Sequence, residues 1–204
     1  MSNYPFPEIL ETNRLKLEIP AKESATKAYY LIDSCRDYLV EFLDWANSNY
    51  TLDVCVNSFL RNAESFKKGN FFCYFITNKK TNEIIGYISL MIKQNGVIST
   101  GFWLGEQYQK QGYLQEALQA LIDFSFKETI IERINIQTDI TNYKSQKVAE
   151  KAGFVFDGLI YSFRLDNKGD SVDMYNYTLL KNTEKMTKLK LVEKQLKQLF
   201  KVGD

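Results

Sequence analysis

Two short segments carry residues whose types and spacing could do chemistry. The first runs Trp103-Leu104-Gly105-Glu106-Gln107-Tyr108-Gln109-Lys110-Gln111-Gly112-Tyr113-Leu114-Gln115-Glu116-Ala117, and reads as a strand passing through a short loop into an amphipathic helix. Unpaired backbone N–H groups at such a helix start, with the helix dipole behind them, favour an anion such as a pyrophosphate. Gly112 would let the backbone approach that anion closely. On residue types alone a structural turn and a phosphate cradle fit equally well. The segment is not a P-loop, because no Gly-Lys-Ser/Thr follows, and it lacks the Gly-x-Gly-x-x-Gly dinucleotide pattern. The second segment, Asn142-Tyr143-Lys144-Ser145, opens a short helix, where Asn142 suits an N-cap and Ser145 is a first-turn hydroxyl.

The chemistry is narrowed by what is missing. Histidine is absent from all 204 residues. That excludes Ser-His-Asp and Cys-His nucleophile systems and argues against most transition-metal sites, so no metal is expected. Proton transfer must then use carboxylates, Tyr, Ser, backbone or water. Cys35, Cys55 and Cys73 are odd in number and widely spaced, and read as free, mostly buried thiols. Lys and Arg number 26 against 25 Asp and Glu, so no global field draws the chain to nucleic acid. No apolar run approaches the roughly 20 residues of a membrane span. Met1 to Glu8 has neither the basic nor the apolar region of a secretory signal, so a cytoplasmic location is expected.

The elements that must position these segments follow from period. Residues 14–19 alternate as a half-buried strand, and three helical stretches follow at 23–34, 37–46 and 52–68. Phe71 to Thr77, Ile84 to Lys93 and Val97 to Leu104 read as an antiparallel meander, with Asn95-Gly96 as a hairpin turn. A helix from about Gly112 to Glu128, a strand at 133–138, a helix at 144–152 and a hairpin at 154–163 and 171–180 complete the body. The expectation is a mixed, mostly antiparallel twisted α/β (α+β) sheet of about seven strands flanked by helices. The stretch after Lys181 looks like an appended helix over 182–204. From Lys181 onward there are seven Lys and three acidic residues, with Leu189, Val192, Leu196 and Leu199 at 3-4-3 spacing. Docking on its own domain is the favoured reading, with a homodimer contact or an acidic partner as alternatives.

In this order the segments resemble the GNAT acetyltransferases. Gln109-Lys110-Gln111-Gly112-Tyr113-Leu114 is similar to their Q/R-x-x-G-x-G/A pyrophosphate loop, and Asn142-x-x-Ser145 with Gly153-Phe154 to their N-x-x-S helix and its close. Trp103-Leu104 before that loop, and Glu11-Thr12-Asn13-Arg14-Leu15 as an opening strand, resemble the RimJ/RimL branch, which acetylates ribosomal-protein N-termini. The resemblance covers roughly residues 10 to 181 and implies a GNAT domain over 1–181. It implies acetyl-CoA as co-substrate, with Phe102, Trp103 and Leu104 holding the pantetheine arm on a strand that splays from its neighbour at a bulge. Gln109, Lys110, Gln111, Gly112, Tyr113, Leu114 and Gln115 would cradle the pyrophosphate, and Asn142 would contact CoA. Ser145 would protonate the leaving thiolate as the catalytic residue.

Two positions depart from the pattern. Leu114 stands where a small residue is usual, and Phe163 falls where the branch carries a glutamate. Glu41 and Asp44 are then the candidates to meet or deprotonate the amine, with exposed helix charge as their ordinary role. The function implied is transfer of acetyl to a primary amine, foremost a protein N-terminus such as a ribosomal protein's, by direct attack in a ternary complex. Acetylation of a small amine (a polyamine or an antibiotic) and a non-catalytic acetyl-CoA-binding module are the alternatives.

Overall fold

Along Phe71–Asn78, Phe72, Tyr74 and Ile76 join one hydrophobic cluster while Cys73 and Phe75 join another. That two-residue alternation is a strand buried on both faces, and it organises the molecule. The computed structural model describes residues 4–202 apart from residue 95, so the Asn95 half of the expected Asn-Gly turn lies outside the described residues. The chain runs β1 (Ile9–Glu11), β2 (Leu15–Glu18), α1 (Lys22–Ser34), α2 (Arg36–Val40), a 3-10 turn (Asp44–Ala46), α3 (Leu52–Lys67), β3 (Phe71–Asn78), β4 (Ile84–Gln94) and β5 (Val97–Leu104). It continues through a second 3-10 turn (Glu106–Tyr108), α4 (Tyr113–Glu128), β6 (Arg133–Asp139), α5 (Tyr143–Lys151), β7 (Val155–Leu165), β8 (Ser171–Leu180) and α6 (Thr183–Phe200).

The strands form one mixed sheet in the order β1-β2-β3-β4-β5-β6-β8-β7, antiparallel throughout except for β5 against β6. This is the expected architecture with eight strands instead of seven. The extra strand, β1, is three residues long, too short to show alternation, and exists by hairpin pairing with β2. α1 and α3 cover one face through Ala28, Ile32, Cys55 and Phe59. α4 and α5 cover the other, and burial of Leu118, Leu121 and Ile122 contributes about 2 kcal/mol each to seating α4.

One helix, and the leucine row of another, differ from expectation. The stretch 37–46 is not one helix but α2 followed by the Asp44–Ala46 turn. Arg36 explains the break: its guanidinium takes hydrogen bonds to the carbonyls of Ala46 and Tyr50, both at 3.2 Å, and so pulls the chain back in a tight loop. α6 docks on its own sheet, with Met186 buried and the Phe156 and Phe200 rings 6.0 Å apart. Its 3-4-3 leucine row does not face the sheet as a unit. Leu189 and Leu196 turn inward with Met186 and Phe200, as a period of 3.6 residues requires, while Val192 and Leu199 stay exposed. No helix among the described residues is long and apolar enough to cross a membrane. All three cysteines are free and buried, and burial pushes the Cys73 thiol up to about 12.

Candidate active site

The site begins as a parting of strands. β5 and β6 pair from Val97–Arg133 to Thr100–Ile136 and no further. Beyond that point β5 continues alongside β4, out to Gly86 opposite Leu104. A Cβ at position 86 would lie 2.3 Å from the Trp103 carbonyl oxygen, so only glycine allows β5 to lie this close to β4. Held there, Gly101–Leu104 leaves β6, and one edge of its backbone is left without a strand partner. The expected bulge is not the cause. The register shift between β4 and β5 falls at Ile92/Gln94, by the hairpin at the far end.

The opening is a cleft of about 550 Å³. Phe102, Trp103 and Leu104 form its floor, the loop into α4 and the start of α5 one side, and Tyr38, Leu39, Phe42 and Leu43 the other. Trp103 is fixed from below, its indole stacked on Tyr87 at 6.5 Å and 6.4 Å from Trp45.

The loop is set by backbone conformation and one arginine. Gly112 at φ 78 ends it as the N-cap residue of α4, and Lys110 also has positive φ, at 61. No side chain caps α4, and its first-turn residues Tyr113, Leu114 and Gln115 line the cleft. Arg14 braces the turn from outside: Nη1 donates to the Gln111 carbonyl at 2.9 Å, and the guanidinium lies over the Tyr113 ring at 4.6 Å. Arg14 is held in turn by Glu116, 2.6 Å from its Nε, and the same carboxylate accepts from Thr12 Oγ1 and from the Arg14 backbone. Burial pushes the Glu116 carboxyl up, but the hydrogen bonds from Thr12 and Arg14 outweigh it and leave the group below its ordinary value.

Asn142 caps α5, its Oδ1 accepting from the Ser145 N–H at 3.0 Å. The cap accounts for one of the two roles expected of Asn142, and the residue also lines the cleft, as does Ser145. Lys144 Nζ lies 4.7 Å from the centre of the Tyr38 ring, joining α5 to α2 across the opening. Burial raises the Tyr38 phenol, with the Gln109 amide beside it working the other way, so the group stays neutral.

Of the residues picked out from sequence, the fold brings Phe102, Trp103, Leu104, Gln109, Lys110, Gly112, Tyr113, Leu114, Gln115, Asn142 and Ser145 to this one cleft. Gln111 does not line it; its carbonyl serves Arg14 and its amide donates to the Gln107 carbonyl. Glu41 and Asp44 do not line it either. Asp44 pairs with Arg164 and its backbone carbonyl accepts from Asn167, which ties the β7–β8 hairpin to the loop after α2. Phe163 is exposed on β7. Sequence reasoning missed Tyr38, Lys144, Lys147 and Lys151. The i, i+3, i+7 spacing of the three lysines on α5 was the available signal. Lys110, Lys144, Lys147 and Lys151 line the cleft, and among the described residues no Asp or Glu does.

A mixed sheet whose parallel pair separates beside an uncapped helix start makes an α/β fold with a cleft suited to an anionic ligand. Residues 14–155 match the family profile described as acetyltransferase (GNAT) domain, and the chain belongs to that family. It is an acetyl-CoA-dependent N-acetyltransferase. Over 154 residues it is 29% identical to the uncharacterized N-acetyltransferase YjdG of Bacillus subtilis (strain 168), covering 73% of this chain and 90% of that protein. Over 164 residues it is 27% identical to the ribosomal-protein-serine acetyltransferase of Escherichia coli (strain K12), covering 79% and 90%. The solved structure of the microcin C7 self-immunity acetyltransferase MccE in complex with acetyl-CoA and AMP aligns with a TM-score of 0.80 at 23% identity, covering 87% of this chain and 98% of that one.

Proposed function

We propose that this enzyme acetylates the α-amine of a protein N-terminus, with a ribosomal protein as the foremost acceptor, by direct attack on acetyl-CoA held in the cleft. The observation that carries the reading is the cleft lining, which holds four lysines and, among the described residues, no carboxylate. An amine must shed its proton before it attacks, and no charged base waits in the cleft to take it. An α-amine has a pKa of about 8, so roughly a quarter is neutral at pH 7.5; a lysine amine, near 10.4, is neutral to roughly one part in a thousand. That difference in free-amine fraction favours an N-terminus over a polyamine, and the E. coli relative acts, by its name, on a ribosomal-protein serine. Such acceptors are met in the cytoplasm, where we place the chain.

In this reading the unpaired edge of Gly101–Leu104 takes the amide groups of the pantetheine arm and orients the thioester. The N–H groups at the start of α4, set by Gly112, take the pyrophosphate, with Gln109, Lys110, Tyr113, Leu114 and Gln115 around it and the Gln111 carbonyl anchoring the loop to Arg14. Asn142 contacts the carrier while its Oδ1 caps α5. The amine adds to the thioester carbon, the C–S bond breaks, and the Ser145 hydroxyl gives its proton to the departing thiolate, regaining one from the acceptor nitrogen through water. Alignment supplies most of the acceleration.

A CoA-release assay over peptides with free N-termini, the same peptides blocked but carrying lysine, and small polyamines and antibiotics tests this. Turnover on free N-termini alone is expected, and Ser145→Ala lowers kcat by about 10- to 100-fold with KM for acetyl-CoA unmoved. Turnover confined to small amines, or tight acetyl-CoA binding with no turnover on any amine, overturns it.

A further inference from the structure

The lysine row of α5 exceeds what the fold needs. Lys147 and Lys151 stand at i, i+4, and Lys144 one turn earlier, all on the stripe that faces the cleft. Like charges at this spacing weaken a helix. Lys144 rests on the Tyr38 ring, but Lys147 and Lys151 have no ion-pair partner among the described residues. The single carboxylate of α5, Glu150, points elsewhere: Lys197 of α6 takes it at 2.7 Å and also reaches Glu193 at 3.2 Å. α6 thereby removes the one charge on α5 that could have balanced the row. From the loop into α4, Lys110 adds a further cation with no acidic partner among the described residues.

On the reading above, the pyrophosphate is served by the start of α4, where backbone N–H groups are free. CoA carries one more phosphate, a monoester on the ribose 3′ oxygen, which is close to a dianion at neutral pH. Lysine binds such a group as a mobile point charge. We propose that Lys147 and Lys151, with Lys110 of the loop into α4, form the site for that 3′-phosphate and make the enzyme select CoA over thioester carriers that lack it. Dephospho-CoA and bare phosphopantetheine thioesters share the pantetheine arm, so the floor of the cleft cannot tell them from CoA; the lysine row can. This inference rests on the cleft being the donor site.

Titration calorimetry with CoA and with dephospho-CoA separates the two ideas. Wild type is expected to bind CoA at least about tenfold more tightly than dephospho-CoA, and a Lys147→Ala/Lys151→Ala double variant is expected to lose about that factor for CoA. Its affinity for dephospho-CoA should stay within about twofold, and a Lys147→Arg/Lys151→Arg variant should keep the preference, since the phosphate is met by charge. Equal binding of both ligands by wild type, or a double variant that weakens both alike, overturns the 3′-phosphate site while leaving the donor cleft standing. Failure of wild type to bind either ligand overturns both.

Discussion

The two sides of the cleft are built by opposite means. The loop into α4 and the start of α5 are fixed by backbone conformation, helix ends and charge: Gly112 at positive φ, the Asn142 cap, and the Arg14–Glu116 pair that ties the loop to the first strands. The facing side, from Tyr38 to Leu43, is a five-residue helix running into a loop, apolar and aromatic, held from behind by Arg36 and by the Asp44–Arg164 pair. The first side suits a ligand that is the same at every turnover. The second suits an acceptor, because a short irregular segment can change its side chains without disturbing the sheet.

Three measurements can break or sharpen that division. The largest effect is expected from Gly112→Asp, which puts a side chain on a left-handed backbone, 3.4 Å from Arg14 Nη2, and an anion beside the phosphates. CoA affinity by calorimetry should fall by on the order of 100-fold, while the melting temperature falls by only about 2–4 °C from the backbone strain. Retained affinity would show that this loop does not hold the nucleotide. Next, Phe42→Ala on the facing side should raise KM for a peptide acceptor about fivefold and leave the dissociation constant of CoA alone. A change confined to CoA would reverse the assignment of the two sides.

The smallest effect concerns acid. The Glu116 carboxyl is lowered in the folded protein, so it stabilises the fold above its unfolded pKa, near 4.5, and that contribution fades as pH falls through the lower folded value. Melting temperature followed from pH 7 down to pH 3 should therefore drop more steeply in wild type than in Glu116→Gln. Parallel curves would mean that the Arg14–Glu116 brace carries no stability.

The same division decides what was legible in the sequence. Strands β2 to β8 and helices α1, α3, α4 and α5 were readable because each repeats its apolar positions long enough to show a period. Gly112 and Asn142 of the cleft were readable because each is demanded by local backbone geometry, a left-handed turn and a helix cap. The facing side was not. Asp37 to Ala46 has helical spacing, yet the Arg36 bonds that break it reach carbonyls 10 and 14 residues away, and no local pattern reports them. Asp44 failed as an acceptor group for the same reason, since its partner Arg164 is 120 positions distant. Glycine 86 is a middle case. The residue is plain in the strand, but its purpose, to let β5 desert β6, appears only once the strands are paired.

The burial of the cysteines has a consequence for a catalyst whose by-product is itself a thiol. Each turnover releases free CoA, and a free thiol beside an accessible cysteine invites mixed-disulfide formation under oxidation. Cys35, Cys55 and Cys73 are all buried, none lines the cleft, and burial raises all three thiols above the ordinary cysteine value. Burial of these thiols works against capture of the enzyme by its own spent carrier.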